Sequence, residues 1–255
     1  MEQIRKQLEA LAEEDYRKFN EKIVPDTKNM LGVRLPKMRE IARARAKENP
    51  AAFLEAIEAA LRQDRNSVYY EEIMVYGLVI GYAKFSNEER MAWLDRFRKH
   101  IDNWAVCDSC CMTYKWMKKN PETWWEYLMS CVEEETEYSV RFAVVCMLDH
   151  FVVDAYVDRV LEQCNRICAA GAPVEKRQIS AVKKSSSEAG HMPYYVQMAV
   201  AWAVSVCYVK YSEKAHAFLE SNRMDVFTHN KSIQKICESY RVTKEQKNAV
   251  RALKR

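Results

Sequence analysis

The sequence predicts an all-α fold in which helix pairs stack into a solenoid, and three observations carry that expectation. Its 255 residues include only 5 Gly and 6 Pro, too few to punctuate the turns that strands and hairpins need. Amphipathic stretches of helical length follow one another with little between them. The junctions place helix pairs about 35 to 40 residues apart, the period of HEAT-type and armadillo-type repeats. The expected class is therefore all-α, a HEAT-like (ARM-type) helical-repeat solenoid, with a compact helical bundle as the alternative the spacing allows.

Each element has a local reason. Ile4, Leu8 and Leu11, at steps of four and three, put one apolar stripe on the first helix. Pro25, Gly32 and Pro36 break the chain before a helix near 37–47. Pro50 suits the first turn of the next helix, whose apolar face is Phe53, Leu54, Ile57 and Leu61. Residues 69–82 follow. Ser86 and Glu89 have capping-box spacing for a helix through Trp93, Leu94 and Phe97. Asp102 or Asn103 caps a helix expected over 104–117. Asn120-Pro121-Glu122 opens another, and 137–151 is a strongly apolar helix. Helices resume over 194–211, 213–220, 232–240 and 244–253. Residues 169–192 interrupt the rhythm with Gly171, Pro173, Gly190 and a Lys183-Lys184-Ser185-Ser186-Ser187 run. That segment reads as a flexible loop, and 1–255 reads as a single HEAT-like repeat domain around it.

Composition excludes several classes. Apolar residues at 49% and charged residues at 30% make a globular chain, not a disordered one. No apolar run reaches spanning length, and residues 1–14 lack the core of a signal peptide. A cytoplasmic protein is the expectation. The 9 Cys are odd in number and read as reduced core thiols. Cys107, Cys110 and Cys111 lack the second ligand pair a zinc site needs. Motifs such as GxGxxG, GxxxxGK[ST], HExxH and GxSxG are absent. No metal and no nucleotide cofactor is expected.

The formal charge of +4 is unevenly placed. Residues 229–255 hold eight Lys/Arg against two Glu, and 34–47 hold six against one, whereas 122–137 is acidic. Two separated basic clusters suit a polyanion partner, although solvated helix faces would produce the same pattern.

Chemistry must then come from carboxylates and aromatics. Trp104 and Asp108 stand four apart, on one face of a helix. A carboxylate acting by charge and an indole acting by its π-face can stabilise a developing cation. A core tryptophan beside a locally paired aspartate is the plainer reading of the same spacing. Trp116, Trp124 and Trp125 read as packing.

Four stretches resemble one family in order: Gly32-Val33-Arg34-Leu35-Pro36-Lys37-Met38-Arg39, Asp102-Asn103-Trp104 through Asp108, Tyr138-Ser139-Val140-Arg141-Phe142-Ala143, and Tyr194-Tyr195 through Trp202. The family is the HEAT-repeat DNA alkylation repair proteins, the AlkD-type 3-methyladenine/7-alkylguanine DNA glycosylases, and the likeness spans roughly residues 10–250. The resemblance implies a solenoid with a concave basic groove gripping double-stranded DNA, acting as a monomer. It implies a monofunctional glycosylase that hydrolyses the N-glycosidic bond of N3- or N7-alkylated purines without extruding the base. Carried over by position, Trp104, Asp108 and Trp202 match the catalytic aromatics and acid, and Arg141 a DNA-backbone contact. Lys231 and Lys235 fall in a segment similar to the closing basic helix, which would bind DNA through its phosphates. The polar 169–192 segment departs from the pattern and loosens the match at Trp202. A non-catalytic HEAT-repeat protein that binds DNA structure or damage, and a protein–protein adaptor, are the readings that compete.

Overall fold

A computed structural model describes residues 2–25, 27, 29–170 and 192–255. The described residues contain fourteen α-helices and no strand beyond one isolated bridge between Ala169 and Met224. The chain is all-α. The 169–192 loop expected from the sequence lies almost wholly outside the described residues. The helices cluster into two compact units, Met1–Lys115 and Trp116–Arg255.

The first unit runs α1 (Glu2–Glu9), α2 (Glu14–Ile23), α3 (Leu35–Glu48), α4 (Pro50–Gln63), α5 (Tyr70–Tyr82), α6 (Asn87–Phe97) and α7 (Trp104–Cys111). Its core is α5, whose sequence is apolar all round and which is buried from Tyr70 to Gly81. Neighbours approach α5 closely where side chains are missing. A Cβ at Gly77 would strike Phe97 of α6 and Cys110 of α7, and one at Gly81 would strike Thr113. Two acidic residues start α5 and are fully buried. Glu71 accepts the N–H groups of Leu31, Gly32 and Val33 at 3.0, 2.8 and 3.2 Å, which fixes the turn into α3. Glu72 takes both Nε and Nη2 of Arg5, tying α1 to α5. Gly32 sits at φ +89°, with Glu13 and Arg17 against the place of a Cβ, so only glycine fits this turn.

The second unit runs α8 (Pro121–Glu133), α9 (Glu137–His150), α10 (Val157–Ile167), α11 (Tyr194–Lys210), α12 (Ser212–Ser221), α13 (Val226–Glu238) and α14 (Lys244–Arg251). Here α9 and α11 form the centre, with α8 against α9 and α13 against α11. Trp116, Trp124 and Trp125 are buried as packing residues, and the first two bring their rings to 4.5 Å. Rings at the starts of α9, α11 and α13 touch in sequence, so these helices run side by side in the same direction.

Expected boundaries hold where the signal is local. Ser86 and Glu89 form the capping box of α6, and Asn49 accepts from Ala52 N–H ahead of Pro50. Three expectations need correction. The first helix ends at Glu9 and a second one fills the stretch before Pro25, because Glu13 N–H bonds to the Gly32 carbonyl and splits α1 from α2, leaving Leu11 at the surface between them. The helix expected over 104–117 ends at Cys111, where the Thr113 hydroxyl donates to the Cys110 carbonyl at 2.7 Å and a turn begins. Finally α13 starts at Val226, six residues before 232, with Asp225 accepting from Thr228 N–H.

Candidate nucleic-acid interface

In the first unit α7 presents one accessible stripe. Its start is fixed by Asn103, whose side chain accepts from Val106 N–H at 3.0 Å and donates to Asp102. Asp102 in turn pairs with Arg65 at 2.7 Å. Ala105, Val106, Cys107, Cys110 and Cys111 face the core, while Trp104 and Asp108 are half-buried and Met112 is exposed. Trp104 and Asp108 therefore share the open side of the helix, one turn apart. The Trp104 indole N–H donates to the Ile23 carbonyl at the end of α2, 3.2 Å away, which holds the ring by its edge.

A cation adjoins this stripe that sequence reasoning gave no role. Arg39 of α3 directs Nη2 to the Met112 sulfur at 2.6 Å, and its Nε has no partner. Thioether sulfur is a weak acceptor, so Arg39 has a poor partner at Nη2 and none at its buried Nε. Burial pushes the Cys110 thiol well up, with Cys107 and Asp108 raising it further and Arg39 opposing them. Arg39 and Asp108 thus act on the same buried atom. The available signal was the position of Arg39 in the Gly32–Arg39 motif.

In the second unit Trp202, Val206 and Val209 follow one face of α11 and line a cleft of about 340 Å³ with Lys210, Lys235, Glu238 and Arg241. Trp202 and Lys235 are thereby brought together, and Lys210 and Arg241 join them as cations not singled out from sequence. Lys231 lies one turn before Lys235 on α13, where its ammonium contacts Gln234 at 2.9 Å and sits 5.7 Å from the Phe227 ring centre. Arg141 is placed differently. Its side chain is 5% exposed in α9 and donates to the Tyr195 carbonyl at 2.6 Å, which leaves little surface for phosphate.

The two basic clusters differ in what their charges do. On and beside α3, Arg34 pairs with Glu13, Lys37 with Glu40, and Arg45 with Glu48. Arg43 lies over the Tyr82 ring at 4.9 Å. Among the described residues, none of the eight cations of 229–255 forms an ion pair. No group of three or more His, Cys, Asp or Glu converges on a possible metal position, and no helix is long and apolar enough to cross a membrane, both among the described residues.

Comparison with curated proteins and with solved structures returned no match. The family model described as DNA alkylation repair enzyme matches residues 4–236. An all-helical chain with an accessible Trp104–Asp108 stripe and an unpaired basic segment, matched over that length, belongs to the DNA alkylation repair enzyme family, and DNA is the substrate that membership implies.

Proposed function

We propose that the protein is a monofunctional glycosylase that removes N3- or N7-alkylated purines from duplex DNA without extruding the base. The observation that carries this reading is the placement of Trp104 and Asp108 together on the open side of α7 in a chain of this family. An N3- or N7-alkylated purine already bears positive charge, so the bond from C1′ to the base nitrogen can break without a strong general acid. The bonding electrons leave with the purine, which departs neutral, and the sugar is left oxocarbenium-like. Asp108 stabilises that charge through space, and the Trp104 π-face adds to it. A water then supplies its oxygen to C1′ and releases a proton, with Asp108 as its acceptor and guide.

Trp202 is proposed as the second catalytic ring on the strength of the resemblance around 194–202. Lys231, Lys235, Lys210 and Arg241 are assigned to the DNA backbone, because phosphate contacts need cations not already neutralised. Arg39 is assigned to a phosphate on the Trp104 side. Arg141 is assigned a positioning role through Tyr195.

The test is release of methylated base from duplex containing N7-methylguanine, wild type against Asp108→Asn. Wild type releases the base, and the variant loses at least about tenfold in rate with DNA affinity retained, as expected when transition-state charge stabilisation is removed. A wild-type protein that binds duplex but frees neither 7-methylguanine nor 3-methyladenine would be a binding protein, and the glycosylase reading would fail.

A further inference from the structure

The starts of α9, α11 and α13 carry a continuous run of aromatic rings. Tyr138 stacks on Tyr195 with centres 6.0 Å apart, Tyr195 meets Tyr194 edge-on at 5.4 Å, and Tyr194 meets Phe227 at 6.2 Å. The inner part of the run is covered. Tyr138 is buried, and Tyr195 gives its N–H to Glu137 at 3.1 Å while its carbonyl accepts from Arg141. The outer part is open, with Tyr194 52% and Phe227 38% exposed beside Val226 at 57%. Single exposed apolar side chains are ordinary. Two touching rings left open at the head of a basic helix ask for a ligand with a flat apolar face and negative charge.

The charges at this edge agree with that ligand. The Lys231 ammonium lies 5.7 Å from the Phe227 centre. The carboxylate next to the rings, Asp225, accepts from the Thr228 N–H and hydroxyl at 2.9 and 2.7 Å and from Gln197 at 3.2 Å. Its charge is thus bound up in starting α13, and Lys231 stays without an acidic partner among the described residues.

We propose that Tyr194 and Phe227 form a stacking platform for an unpaired base of DNA, with Lys231 taking the phosphate beside it. The proposal rests on the DNA-binding part of the function proposed above, and it adds a second binding mode to it. A paired base has both faces covered by its neighbours, so the platform can serve only a base that has left the stack. Aromatic faces accept any base, because every base has a π-face. Glu137 and Arg141 hold the Tyr195 backbone from both sides of its residue, so the outer pair stands on a fixed support.

The experiment uses the full chain and two duplexes of the same sequence, one fully paired and one with a single unpaired 2-aminopurine. The wild type binds the second more tightly and lowers 2-aminopurine emission, the signature of stacking. Tyr194→Ala and Phe227→Ala each lose about tenfold in affinity for the duplex with the unpaired base, as removal of a stacking ring does. They bind the paired duplex as before, which also shows that they are folded. Tyr194→Phe keeps the preference, since the ring and not the hydroxyl stacks. Tyr240→Ala, at a fully exposed ring on the same unit, changes neither duplex. Equal affinity of the wild type for the two duplexes, or a preference untouched by Tyr194→Ala and Phe227→Ala, overturns the platform and leaves the glycosylase reading standing. Failure to bind either duplex removes the shared premise and both readings with it.

Discussion

Alanine in place of Gly77 sets two effects against each other. Helix propensity favours alanine over glycine by up to about 1 kcal/mol. The added Cβ, however, would enter the space of Phe97 and Cys110, and overpacking a filled core costs about 1–3 kcal/mol. The collision should win. Gly77→Ala is expected to lower the unfolding free energy by about 1–2 kcal/mol, the difference of the two effects, read by urea titration. An increase in stability would mean that α6 or α7 shifts freely. At His229 the sign of a pH effect follows from its partners. The ring is fully buried, with Nε2 donating to the Leu253 carbonyl at 2.8 Å and Nδ1 3.1 Å from the Asn222 amide nitrogen. Both contacts suit the neutral ring, and burial holds its pKa below the ordinary 6.5. The unfolded chain therefore takes up the proton first, so stability is full above that value and falls as pH drops below it. Melting temperature should decline between pH 7.5 and 5.5, less so in His229→Gln, with burial of His100 supplying a second share of the same sign. A flat profile for the wild type would refute the assignment.

At the scale of the element, α7 depends on its first turn. Asn103→Ala removes the acceptor for Val106 N–H, and loss of such a cap costs about 1 kcal/mol, or roughly 2–4 °C in Tm for a chain this long. Because Trp104 follows the cap directly, the proposed base release should fall by more than the stability loss explains. Unchanged turnover at a temperature where the variant is fully folded would separate the cap from the site. The helices also show what sequence carries. The Ser86–Glu89 capping box and the helix start at Pro50 were legible, since each signal lies within one turn of chain. The end of α7 at Cys111 was not, because it depends on the Thr113 hydroxyl turning back to the Cys110 carbonyl and on Gly81 admitting Thr113. α10 is the helix that sequence reading passes over, although Val157, Val160, Leu161, Cys164 and Ile167 form a regular buried stripe. Of the candidate site, the shared helix face of Trp104 and Asp108 was legible from spacing, whereas a role for the pair came only with the family resemblance. Arg39 was not legible, since its poor partnering emerges only when its neighbours are known to be a thioether and a buried thiol.

For the whole molecule, net charge is a poor guide to where a polyanion binds. The α3 region and residues 229–255 look alike as strings of basic residues, yet three of the six cations in the first are matched to carboxylates. Affinity for undamaged duplex should fall steeply as salt rises, and Lys235→Ala and Arg241→Ala should weaken it more than Lys37→Ala or Arg45→Ala. Equal effects at all four positions would show that the intramolecular pairs yield to phosphate without cost. The reading of 1–255 as a single domain meets two compact units, and calorimetry distinguishes one cooperative transition from two.

All nine cysteines are reduced, and eight of them are buried. Burial raises the Cys110 and Cys164 thiols well above their usual range and brings Cys207 up to about 12. Thiolate, not thiol, is what attacks an electrophile. A protein that meets methylating agents wherever its damaged substrate is being made thus keeps its own best nucleophiles out of their reach. Mass spectrometry after exposure of the folded chain to methyl methanesulfonate should find Cys237, half-buried in α13, carrying most of the S-methyl adducts. The same fold that packs the core would then make the protein chemically durable under the stress it serves against.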